Sequence, residues 1–174
     1  MVRWLCTVIL VTIFAFLIYG SVQHVLRMSA NDPQIQISQD FAVELSQGKT
    51  VRVGEDKIDI EKSLSTYVII FDSNLNLVSS SAVLDGKTPV LPQGLFDYAG
   101  KNGENRFTWQ PKNGVRSAAV LVSFGGKNPG YVLAGRSLRE VEKREQDLAI
   151  EVVTAWVVAL VFATLPFLIK KRKN

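Results

Sequence analysis

The chain has one cysteine and one histidine. A single cysteine excludes an internal disulfide framework. With His24 as the only imidazole, just outside the first apolar run, no zinc-type ligand spacing exists. A nucleophile–base pair built on histidine cannot be assembled either. The glycines of "FGGKNPG" sit between two predicted strands and not before a helix, so they form no phosphate-binding loop. No period of 20–50 residues marks a repeat. These gaps argue against an enzyme and against a bound cofactor or metal, and no catalytic residue is assigned. Cys6 stands at the start of an apolar run behind bulky Leu5, and reads as a small apolar residue of that run.

Charge is missing from two long stretches, "WLCTVILVTIFAFLIYG" (residues 4–20) and "VVTAWVVALVFATLPFLI" (residues 152–169). At about 1.5 Å per helical residue each reaches roughly 25–27 Å, close to a hydrocarbon core of about 30 Å. Trp4 and Tyr19 stand at the margins of the first, as interfacial anchors would. Its exit, "LIYGSVQH", lacks a small-x-small cleavage site, so an uncleaved helix is expected. Arg3, Lys170, Lys171, Arg172 and Lys173 place five of the 20 basic residues at the ends, with no acid among them. The middle keeps the other basic residues and all 16 acids, so the net +4 belongs to the tails. That is a topology signal and not a nucleic-acid footprint. The expected layout is a transmembrane helix over 1–22, an extracytoplasmic domain over 23–136, a juxtamembrane helix over 137–151, a transmembrane helix over 152–169 and a basic tail over 170–174. Both termini would lie in the cytoplasm, and the protein would be a multi-pass resident of the inner membrane.

Between the apolar runs the pattern changes period. Asp32 is placed to cap a helix with Pro33 at its first position; Ile35, Ile37, Phe41, Ala42 and Leu45 give it an apolar face, and Gly48 ends it. "YVIIFD" (67–72) is a continuous apolar run, so both faces of that strand are expected to be buried. "SNLN" turns it, with Asn supplying any positive φ, and "LVSSS" (77–81) returns. A short helix over 92–101 stops near Gly103. Strands follow at 106–110, 115–124 and 131–135. Asp72 is read as a turn-capping acid. Ser137 and Glu140 form a capping box for an exit helix. Leu138, Val141, Glu145, Leu148, Val152 and Ala155 make an a/d seam with one acid in it. The seam fits a dimer interface or packing on the chain's own first helix.

This order resembles the single PAS-like or Cache-type (PDC-like) extracytoplasmic sensor domain of two-pass bacterial receptors. The resemblance rests on a long helix leaving the membrane, a sheet of five strands, and a helix returning. It rests also on the phrases "YVIIFDSNLNLVSSS" and "GYVLAGRSLREVEKRE". It implies an α+β fold with a five-stranded antiparallel PAS-like sheet, a long N-terminal helix and a C-terminal exit helix, flanked by two transmembrane helices. It further implies a small-molecule site between the sheet and a cover formed by residues 82–105. Candidate lining groups are Tyr67, Trp109, Arg116 and Tyr131, with Arg116 as a carboxylate clamp. Core packing for the aromatics and a solvated strand end for Arg116 stand as the alternatives. The sequence departs from such receptors in showing no cytoplasmic output domain. A partner is therefore expected: a kinase, receptor or transporter in the same bilayer, or a second copy of the chain. The competing expectation is a structural or accessory membrane subunit that uses the domain as a protein-interaction surface.

Overall fold

A computed structural model describes residues 2–51, 53–54 and 56–172. Lys173 of the basic tail lies outside the described residues. The chain divides into two compact units, one spanning Ser29–Glu140 and the other made from the two terminal segments.

In the terminal unit, α1 (Val2–Ser29) runs straight through the first apolar stretch and beyond it, and α4 (Arg139–Arg172) carries the second. Both are long and apolar enough to cross a membrane. Polar contacts join them. Arg27 donates to both carboxylate oxygens of Glu145, at 2.7 and 3.1 Å. Further along, Trp156 Nε1 donates to Thr12 Oγ1 at 3.0 Å, and the Thr12 hydroxyl donates to the Val8 carbonyl at 2.8 Å. A polar group between apolar helices needs such a partner, because apolar surroundings offer none. The acid in the a/d seam is thereby explained: at Glu145 the seam faces α1 of the same chain.

The central unit is built on an antiparallel sheet. Its helix α2 (Asp32–Ser46) begins one residue earlier than its cap was expected: Asn31 is the N-cap and Asp32 the first helical residue. No side chain bonds the helix start, and Asp32 acts there through its charge against the helix dipole. Gly48, at φ +74°, closes the helix with its amide on the Leu45 carbonyl at 3.0 Å. Next come β1 (Ile58–Asp59), β2 (Tyr67–Asp72), β3 (Leu77–Ser80) and β4 (Ala82–Val83). Then follow α3 (Gln93–Asn102), β5 (Glu104–Lys112), β6 (Val115–Phe124) and β7 (Gly130–Ser137). The five-stranded sheet has the order β3-β2-β7-β6-β5, so the first and last of its strands in sequence are neighbours. β1 and β4 form a separate parallel pair, which the sequence patterns did not indicate.

Alternation along β2 explains its unbroken apolar run. Tyr67, Ile69 and Phe71 point to one face, where they pack with Leu121, Leu133, Trp109 and Phe96. Val68 and Ile70 point to the other, where Ala42, Ile37, Phe41 and Leu45 of α2 cover them. The first face is the larger core, closed by Ile60, Ala82, Leu84, Leu91, Phe96 and Ala99 of the segments around it.

Candidate functional site

The first β-hairpin sets one wall of the site. Asp72 organises its turn: Oδ1 accepts the amides of Asn74 and Asn76 at 2.8 Å each, and Oδ2 accepts the Asn76 side-chain amide at 3.0 Å. Those bonds, the Asn76 side chain foremost, hold the Asp72 carboxyl below its ordinary range. The positive φ of this turn falls on Leu75, at +64°, and not on an asparagine. The serines that follow serve the chain's own fold. Ser81 Oγ accepts the Val68 amide at 2.9 Å, and Ser80 Oγ accepts the Ala82 amide at 3.0 Å while donating to the Ala82 carbonyl. They turn β3 into β4 by pairing backbone groups at the junction with side-chain hydroxyls.

The other wall is the cover over residues 82–105. Its segment "TPVLP" carries prolines at 89 and 92, which hold it extended. Pro92, at φ −62° and ψ 137°, opens α3. Phe96 of α3 then stacks edge-on against Phe71 at 5.0 Å and Tyr131 at 5.3 Å between ring centres.

Three of the four sequence-predicted site residues share this face, and the fourth does not. Tyr67 is 1% exposed, and its ring lies over Gly135, its partner across the ladder, where an added Cβ would collide with the ring. Burial pushes its hydroxyl up to about 12, with the nearby Ser117 hydroxyl pulling weakly the other way. The Tyr67 and Ser117 hydroxyls are both buried, and among the described residues neither reaches a partner at full hydrogen-bond geometry, the Ser117 hydroxyl being the group that acts on Tyr67. Trp109 is buried beside Ser117's ladder position. Tyr131 is half-buried and packs on Phe96. Arg116 belongs to the opposite face: Val115, Ser117 and Ala119 point into the larger core, so strand alternation turns Arg116 away from it. Its side chain is exposed, and its carbonyl accepts the Leu138 amide at 2.9 Å. Arg116 therefore cannot clamp a ligand that the three aromatics hold.

The open volume lies beside these residues. A half-open cleft of about 260 Å³ runs between Phe71, Leu75 and Leu77 of the hairpin and Val90, Leu91 and Phe96 of the cover, with Thr88, Pro89 and Gln93 completing it. None of the four sequence-predicted residues lines it. Its one legible signal is "TPVLP", a stiff segment that leaves Val90 87% exposed. Among the described residues no group of three or more His, Cys, Asp or Glu could hold a metal ion.

At the far end of the cover, Lys112 bridges two acids. Its ammonium lies 3.0 Å from Glu61 Oε2 and 2.9 Å from Asp85 Oδ1. The loop that carries Glu61 is held in turn by Arg139, whose guanidinium donates to the carbonyls of Glu61 and Lys62 at 3.3 and 3.0 Å. Arg136 Nε donates to the Leu64 carbonyl at 3.0 Å. The cover is thus tied through one loop to the start of α4.

Comparison with protein-family models, with curated proteins and with solved structures found no match to this chain.

Proposed function

We propose that this is a two-pass membrane protein presenting a PAS-like or Cache-type sensory domain outside the cytoplasm, and that it acts through a separate membrane partner. The single observation that carries the reading is the cleft between the first hairpin and the cover, roofed by a segment whose far end is tied to the exit helix. Ligand sites are concave and mostly apolar, with few polar groups, and the cleft has that character. Further support comes from the element order, with a helix before the sheet and another between its second and third strands. The basic residues at both ends favour cytoplasmic termini.

A second reading has its own observation. Tyr67, Trp109 and Phe96 fill the space between the sheet centre and the cover, as in a domain that works only as a protein-binding surface of an accessory subunit. Thermal unfolding of the full chain in lipid nanodiscs, screened against metabolites, separates the two. A ligand that binds only the folded state raises the transition temperature with concentration. A saturable rise, lost on Leu77→Arg, supports sensing. No rise across the screen, together with a stoichiometric membrane partner that cross-links to the domain, supports the accessory subunit.

A further inference from the structure

We propose that the cleft under the 88–91 segment takes an uncharged, mostly apolar molecule of about one ring, and not a carboxylate or an amino acid. The inference rests on the sensory reading and names the ligand class for its site. Three observations carry it. First, no charged side chain lines the cleft; the polar side chains there are Thr88 and Gln93, both neutral. An ionised group moved into such a lining loses its water without gaining a counter-charge, a heavy cost. Arg116, the cation that could have received a carboxylate, is turned to the other face of the sheet. Second, the volume of about 260 Å³ falls below the roughly 300–1,000 Å³ of sites for drug-sized ligands, so the occupant is small. Third, the walls hold apolar side chains in water at some cost to the chain. Val90 is 87% and Leu77 50% exposed. Leu75 is held at φ +64°, where glycine or asparagine would sit with less strain. Local strain of this kind is kept where the surroundings impose it, often at ligand sites. An apolar ligand would cover Leu77 and Val90 and leave Thr88 or Gln93 to meet a single hydroxyl or N–H.

The test is methyl NMR on the full chain in nanodiscs, with 13C-labelled leucine and valine methyls. The uncharged probes are indole and p-cresol; the charged probes are benzoate and glutamate. Probe dissolved in the bilayer is measured with empty nanodiscs. The expected result is a saturable shift of the Leu75, Leu77, Val90 and Leu91 methyls with indole or p-cresol, at least tenfold tighter than with benzoate or glutamate. Val90→Lys, at a side chain already in water, should weaken it at least tenfold while the other methyl signals keep their dispersion. Equal or tighter binding of benzoate or glutamate at these methyls overturns the ligand class and leaves the sensory reading standing. Shifts confined to methyls elsewhere in the domain overturn this cleft and also leave sensing standing. No saturable shift with any probe sinks the ligand class here and counts against sensing itself.

Discussion

Gly135 and Tyr67 depend on each other. The Tyr67 ring occupies the space that a side chain at 135 would need. Gly135→Ala is expected to destabilise the domain by about 1–3 kcal/mol, the usual range for overpacking a filled core, read by chemical denaturation of the full chain. Tyr67→Phe has the opposite expectation. It removes a buried hydroxyl that finds no well-formed hydrogen bond among the described residues, so stability should hold or rise by up to about 1 kcal/mol. A loss larger than that would show that the hydroxyl has a partner. Asp72 gives the pH dependence its sign. Its carboxyl is held low, chiefly by the Asn76 side chain, and Asp59 is held low chiefly by Lys62. Near pH 4 and below, the unfolded chain therefore binds protons that the folded chain does not. The stability these groups contribute is complete above their unfolded pKa and is lost as pH falls through the lowered folded values. Unfolding midpoints should drop on going from pH 5 to pH 3, and less steeply in Asp72→Asn. Tyr67 adds the mirror case, a loss of stability as pH rises past 10 toward about 12.

At the scale of elements, the long strands were legible and the short ones were not. β2 and the middle stretches of β6 and β7 are buried on both faces, so their apolar runs announce themselves. β1 and β4 have two residues each, too few for any period to register. Leu75 broke the rule that asparagine or glycine takes a positive φ. Three bonds from Asp72 fix the turn, and packing of the residue at 75 against the larger core selects a leucine there. The sequence left Arg116 open between a carboxylate clamp and a solvated strand end, because a strand's parity is set by register, which shows only once its buried neighbours are known. The cleft was hidden for a different reason: its walls come from two separate segments, 71–77 and 88–96, that meet only in the fold. Lys112 supplies an element-level prediction. If it ties the cover to the loop under Arg139, Lys112→Met should speed amide hydrogen exchange near Asp85 and near Glu61 together. Faster exchange on one side only would mean that the two contacts are independent.

On the scale of the whole molecule, the chain combines a pair of apolar helices with one α+β domain held between them in sequence. The helices were read from charge-free length, and polar contacts such as Arg27 with Glu145 and Thr12 with Trp156 were not. Side chains 118 and 144 residues apart carry no joint pattern in a single sequence. The central claim is that the domain is displayed on the far side of the membrane from both termini. Cys6 is the only cysteine, so a Cys6→Ala background makes site-directed labelling direct. Asn128→Cys probes the exposed loop between β6 and β7, and Asn174→Cys probes the C-terminus. With a membrane-impermeant maleimide on intact cells, the account expects labelling at 128 and none at 174 until the cells are lysed. Labelling at 174 with 128 protected, or both sites labelled to the same extent only after lysis, would contradict it.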